Sequence, residues 1–311
     1  MRIGTHISYE LGITALHRQQ AAQIKTLEQI SSGRRILTPS EDPASYIRAL
    51  EVSQADSVNA RYALNRQAAA ASLGMLEATL GDVTNVVQNL QQLAVYAGNG
   101  TLTDSGRQAI ATELRGNFDE LLGLANRTDG SGQYLFSGFQ GATRPFADTG
   151  SGVQYSGDEG QRLIQAGPSR QLATSESGRE VFERIPAAGG GYQSLFRTLS
   201  DLITLLETPV TGAAGKAALA TGLDAAQGNL SSALDNVLRV RTAVGTRMKE
   251  IDTLDDSGDD LRLLYARQLS ELQDVDYARA ISDLTQQQTY LEATQKAFLK
   301  VQGLSLFDYL R

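Results

Sequence analysis

The apolar pattern between Leu73 and Ala97 constrains the fold more than any other part of the chain. Leu73, Leu76, Leu80, Val83, Val87, Leu90, Ala94 and Ala97 recur at alternating steps of three and four residues. That spacing puts all of them on one face of an α-helix. It excludes a strand, whose faces alternate at every second residue. The helical pattern begins near Ala44. At about 1.5 Å per residue it makes a rod of roughly 80 Å. A rod of that length needs an apolar partner of similar length.

Such a partner lies in the second half of the chain. Leu219, Leu223, Ala226, Leu230, Ala233, Val237, Val240, Val244, Arg247, Ile251 and Leu254 alternate steps of four and three. "DDSGDD" (Asp255 to Asp260) is expected to loosen this helix before Leu261, Leu264, Tyr265, Leu269 and Leu272 resume it. A shorter helix over 105–126 should fold back after the stop at "GNGT". Another covers 193–207, with Leu195, Leu199, Leu202 and Leu206. Between them, residues 131–190 lose the helical period and are dense in Gly, Ser and Thr. "YLFSGF" is a short strand candidate. Segments 153–156 and 162–165 read as a hairpin around a Gly-Asp-Glu-Gly turn, and "RQLATSESG" offers a further strand.

Both ends of the chain carry heptad seams with glutamines in them. Ile13, Leu16, Gln20, Gln23, Leu27 and Ile30 form the first. Tyr277, Ile281, Leu284, Gln288, Leu291, Gln295 and Phe298 form the second. Two helices of about thirty residues cannot cover each other fully, and Gln weakens a dry seam while fixing its register. The preferred reading is that these segments complete their packing against other subunits. The alternative is a closed intramolecular core. The expected fold class is mainly α, with long antiparallel helical rods, terminal coiled-coil segments and a small β-rich inserted domain.

"SSGRRILTPSEDPASY" (Ser31 to Tyr46) separates the first seam from the first rod. Gly33 can end the first helix in a left-handed conformation. Arg34 and Arg35 can then meet carbonyl ends or acidic neighbours. Two rod starts compete. Thr38-Pro39-Ser40-Glu41 matches a capping box, but it leaves Pro43 inside the first turns, where it removes a backbone bond. Asp42 as N-cap with Pro43 at the first helical position avoids that conflict and is preferred. Gly33, Arg34, Arg35, Asp42 and Pro43 thus mark an interdomain joint. "DVD" (Asp274 to Asp276) marks a second one at the other end.

Little in the sequence points to chemistry. His6 and His17 stand eleven residues apart, without an HExxH motif or a clustered third ligand. Neither GxGxxG nor GxxxxGK[ST] occurs, and "DDSGDD" lacks the ligand spacing of a calcium loop. There is no Cys, which removes disulfides and thiolate ligands. No catalytic, cofactor-binding or metal residue is assigned, no cofactor is expected, and the chain is not read as an enzyme. The net charge of −7 and the lack of a basic block argue against nucleic acid. No window reaches the ~18 apolar residues of a membrane span, and no secretory signal is visible.

Three stretches resemble the flagellin-type axial proteins. "LEQISSGRRILTPSEDPASYIRALE" is similar to their N-terminal signature. "DVDYARAISDLTQQQTYLEATQKAFLKVQGLSLFDYL" is similar to their C-terminal one, and "GQYLFSG" to the entry of their outer domain. "EDPA" (Glu41 to Ala44) and the "KVQGLSLFDYL" tail stand nearer the hook–filament junction members than the filament subunits. The resemblance implies a structural role at that junction; the alternative is a small flagellin forming the filament itself. It implies an inner coiled-coil domain from 1–38 and 275–311, ordered on assembly. A rod domain would come from 39–130 and 191–274, and an outer β-rich domain from 131–190. The implied partners are other copies in a ring of about eleven subunits, the first hook-associated protein on the hook side, and flagellin or the filament cap on the distal side. A cytoplasmic export chaperone would hold the C-terminal helix. The implied location is the extracellular flagellum, reached by type III export without a cleaved signal.

Overall fold

The computed structural model describes residues 2–150, 152–187 and 190–303. The tail residues 304–311 used in the resemblance, and part of the glycine-rich turn at 189–191, lie outside the described residues. Two compact units form. A terminal unit comprises 1–59 and 259–311, and a central unit comprises 60–258. The long helices α2 (Pro43–Ala97) and α5 (Gly212–Gln273) run through the division. The compact units therefore divide inside the rods, whereas the sequence pattern predicts boundaries at the joints.

In the central unit the seam residues of α2 from Leu73 to Ala97 are all buried. They share one core with Leu223, Ala226, Leu230, Ala233, Val237, Val240, Val244 and Ile251 of α5. Each fully buried Leu or Val contributes about 1.5–3 kcal/mol relative to exposure, so the matched seams supply the main cohesion of this unit. Helix α3 (Asp104–Ala125) and helix α4 (Leu195–Glu207) complete the core with Ile110, Leu114, Leu121, Leu199, Leu202 and Leu206. Thr103 starts α3, its hydroxyl accepting from the Gly106 amide at 3.2 Å. Across the rods, Arg66 pairs with Asp255 at 2.5 Å and Arg241 with Glu77 at 2.6 Å.

Helix α5 passes through "DDSGDD" without a break. The composition of that stretch predicts loosening there. Tertiary contact outweighs the weak helix propensity of Asp, Ser and Gly: Gly258 is buried in the helix and Asp255 is held by Arg66.

The β-rich segment consists of three two-stranded antiparallel sheets. Strand β1 (Phe146–Asp148) pairs with β2 (Val153–Tyr155), and β3 (Leu163–Gly167) with β4 (Arg170–Ala173). Strand β5 (Ile185–Pro186) pairs with β6 (Tyr192–Gln193). The expected hairpin between 153–156 and 162–165 does not form. Its Gly-Asp-Glu-Gly stretch serves as an anchor instead. Asp158 accepts from the Phe139 amide at 2.9 Å and the Gly160 amide at 2.8 Å, while the Tyr155 hydroxyl donates to the Asp158 carbonyl at 2.8 Å. "YLFSGF" is a run of turns, not a strand. Its Leu135 and Phe136 face the core, and the Phe136 carbonyl accepts from Gly178 at 2.9 Å.

An aromatic cluster joins these sheets to the rods. Phe182 sits in a π-helical turn (Arg179–Glu183) and meets Phe136, Phe146 and Phe196 at centroid distances of 5.2, 5.4 and 5.8 Å. Phe196 belongs to α4 and touches Phe118 of α3 at 5.9 Å. Polar ties flank the cluster. Asn236 donates to the Glu180 and Val181 carbonyls at 2.8 and 3.1 Å. Arg247 stands at a seam position of α5 but turns its guanidinium to the buried Glu176 at 2.5 Å. Gln161 donates to the other Glu176 oxygen at 2.7 Å. That carboxylate is thus compensated on both oxygens, as a buried charge requires.

In the terminal unit, helix α1 (Arg2–Ser32) packs antiparallel against helix α6 (Tyr277–Gly303). Gln19 donates to the Gln287 carbonyl at 3.3 Å, and the Tyr9 and Phe298 rings meet at 5.5 Å. Gly12 allows this approach, because a Cβ there would lie 2.6 Å from the Phe298 ring.

Candidate assembly interface

The candidate surface starts from the terminal pair. On α1 the inward positions are Gly12, Leu16, Gln19, Gln23, Thr26 and Ile30; on α6 they are Ala280, Leu284, Gln287, Leu291, Thr294 and Phe298. Leu16, Gln23, Ile30, Leu284, Leu291 and Phe298 of the sequence-defined seams are therefore in the pair, and Ile13 lies at its edge, half-buried. Gln20, Leu27, Tyr277, Ile281, Gln288 and Gln295 are exposed. Thr26 and Gln19 take the inward places beside Leu27 and Gln20. Thr26 satisfies its hydroxyl on the Ala22 carbonyl at 3.1 Å, which makes it tolerable in a seam.

The exposed members are not scattered. A helix turns about 100° per residue, so the position after each inward residue lies on a flank. In an antiparallel pair these following positions fall on the same flank from both helices. Gln20, Ile24 and Leu27 of α1 thus share a flank with Ile281, Gln288 and Gln295 of α6. Ile24, Leu27 and Ile281 remain 57%, 54% and 54% exposed, so the pairing of α1 with α6 leaves them uncovered. A row of large aliphatics at helical spacing with amides between them has the chemistry of a docking surface. Periodicity alone detects the amphipathic stripe but cannot say which edge of it the partner helix takes. That is why Thr26 and Gln19 escaped the sequence reading.

The joint belongs to the same unit. Gly33 adopts φ 71° after the end of α1. Helix α2 starts at Pro43 with Asp42 as its cap, accepting from the Ser45 amide at 3.1 Å. Of the two sequence-derived starts, this is the one the chain adopts. Between stop and start the segment is tied to the second joint. Arg34 bridges Asp274 in an antiparallel β-bridge, the Arg35 amide donates to the Gln273 carbonyl at 2.7 Å, and Val275 donates to Gly33 at 3.0 Å. The Arg35 guanidinium donates to the Leu272 carbonyl at 2.9 Å and lies 3.5 Å from Asp42. Arg35 thus caps the C-terminal end of α5, where cations are favoured. The Arg34 side chain is exposed. Glu41 accepts from the Leu37 amide at 3.0 Å and pairs with Lys25 at 3.0 Å.

These bonds hold the Asp42 and Glu41 carboxyls below their ordinary range. For Asp42 the causes are the hydrogen bonds from Ser45 and then the Arg35 charge; for Glu41 they are the Leu37 amide and then Lys25. A carboxyl whose folded pKa is depressed supports the fold above its unfolded pKa and loses that support as pH falls through the folded value. The joint is therefore expected to loosen as pH drops below about 4.5, starting from the ordinary values of 4.5 for Glu41 and 3.8 for Asp42. Amide exchange at Ser45 and Tyr46 should report it. Asp42→Ala should show the same fraying already at pH 7, and Asp42→Asn should not.

Among the described residues no group of three or more His, Asp or Glu could hold a metal ion. No described helix is long and apolar enough to cross a membrane.

The fold class is that of the flagellin-type proteins: the bacterial flagellin N-terminal helical region matches residues 3–141. Flagellar hook-associated protein 3 of Escherichia coli (strain K12) is 38% identical over 316 residues, covering 99% of each chain. The protein of the same name from Salmonella typhimurium is 38% identical over 319 residues, covering 100% of each. Among solved structures, flagellar hook-associated protein 3 from Legionella pneumophila superposes with a TM-score of 0.68 at 21% identity, covering 71% of this chain and 98% of that one. The chain belongs to the flagellar hook-associated protein 3 family, and it is a structural component of the bacterial flagellum.

Proposed function

We propose that the protein is the adaptor between hook and filament, and that it assembles through the flank of its terminal helix pair. The observation that carries this reading is the exposure of Ile24, Leu27 and Ile281 on one flank of α1 and α6. In this reading residues 1–38 and 275–311 form the innermost layer, 39–130 and 191–274 the surrounding rods, and 131–190 the outer face. Head-to-tail contacts close a ring of about eleven copies. The first hook-associated protein binds on the hook side, and flagellin or the filament cap on the distal side. The role is mechanical.

Before assembly the exposed apolar residues of α6 are a liability. Ile281, Tyr290 and Leu299 leave α6 with exposed apolar residues, which favours a cytoplasmic chaperone holding that helix until export. Export proceeds through the flagellar channel without a cleaved signal. Deleting the gene tests the reading. Intact hooks, no attached filament and flagellin monomers in the medium are expected. If flagellin disappears from the medium as well, and purified chain grows long filaments from seeds, the filament-subunit alternative holds instead.

A further inference from the structure

Between Asp82 and Asp104 the chain contains no Asp, Glu, Lys, Arg or His. This stretch is the C-terminal part of α2 and the turn after it, and its exposed side forms a stripe. Asn85, Gln88, Gln92, Val95, Tyr96 and Asn99 follow one another at helical spacing and are all exposed. Val95 and Tyr96 are 63% and 57% exposed. Gln88, Gln91, Gln92, Val95 and Tyr96 line a shallow hollow of about 530 Å³. Elsewhere the helices carry charges on their exposed sides, for instance Arg48, Glu51 and Arg61 earlier in α2 and Glu113, Arg115 and Asp119 on α3.

We infer that this charge-free stripe is a contact for a second copy of the chain, an inference that rests on the adaptor reading. Two copies each carry −7 and repel. They approach at least cost where neither presents charge. Interface centres are depleted of charged residues and enriched in Tyr, and amides supply both donors and acceptors without an ionic partner. The stripe is too small to act alone. At roughly 20 Å by 10 Å it covers a few hundred Å², well under the ~800 Å² per partner of a stable complex. It therefore stays open in the free monomer and closes only where a repeating array adds further contacts.

The chain has no Cys, so Gln92→Cys gives a single labelling site. Its maleimide reactivity is compared in the free full-length protein and in isolated hook–junction particles. The expected result is at least a tenfold loss of reactivity on assembly. A benzophenone attached there should yield a crosslinked product of twice the chain's mass. Labelling at the monomer rate in particles that contain the chain would overturn this inference and leave the adaptor reading standing. A crosslink to a different flagellar protein would overturn the second copy as occupant. Particles that lack the chain would overturn the adaptor reading itself. In parallel, Gln88→Glu with Gln92→Glu should abolish rescue of a deletion strain without changing the monomer's melting temperature, and Gln88→Asn with Gln92→Asn should rescue. Full rescue by the Glu pair counts against the contact.

Discussion

Cells carrying Leu27→Glu together with Ile281→Glu are expected to swim no better than cells lacking the gene, although the protein folds and is exported. Both residues are 54% exposed and lie on the shared flank of α1 and α6. Surface substitutions of this kind change stability by about 0.5 kcal/mol or less, so the central unit's melting temperature should move by no more than about 2 °C. A carboxylate buried against a neighbouring subunit without a partner costs several kcal/mol per contact, and every copy repeats the cost. Circular dichroism and thermal melting check the fold, and recovery of the chain with sheared hooks checks assembly. Normal swimming by the double variant would remove this flank from the assembly surface. The joint gives a graded comparison. Arg34→Ala removes an exposed cation and should act on assembly alone, whereas Arg35→Ala also frees the Leu272 carbonyl and loosens the joint within the monomer.

Phe182→Ala is expected to destabilise the central unit by about 3–5 kcal/mol. Phe182 is fully buried and meets three other phenylalanine rings, two of them edge-on at 82°. Edge-to-face pairs add about 0.5–1.5 kcal/mol each beyond their buried area. The vacated space faces rods and sheets together, and neither can collapse into it without moving the other. Urea unfolding of the full chain measures the loss. A change below about 1 kcal/mol would show that the β-rich segment is held by its polar ties, chiefly Arg247 with Glu176 and Asn236 with the 180–181 carbonyls.

How far the sequence was legible depended on whether a signal was local. The rods were readable because Leu73 to Ala97 and Leu223 to Ile251 bury one face of each helix, and a helix face is a property of spacing. The start of α2 was readable because Pro43 tolerates only the first turn and Asp42 caps it. The short strands were not. Tyr155 pairs with Phe146 rather than across the nearer Gly-Asp-Glu-Gly turn, because Asp158 ties that turn to the Phe139 amide of a distant segment. Likewise "YLFSGF" has strand composition, but its Phe136 serves an aromatic cluster assembled from five separate segments. The flank of the terminal pair falls between these cases. Except for Ile24, which the seam spacing skips, its residues were visible as a seam, while their division into an inward row and an exposed row needed the partner helix in place.

The bridge of Arg34 with Asp274, and the bonds from Arg35 to Gln273 and from Val275 to Gly33, have a mechanical meaning. A helix pair connected by one strand can swivel about its backbone dihedrals. Here two strands cross side by side and are bonded to each other. Twist applied at one end of this crossing is carried as a force couple between the strands, and unwinding it would break several hydrogen bonds at once. For a structural component of a flagellum, a doubled crossing transmits torque where a single tether would spin.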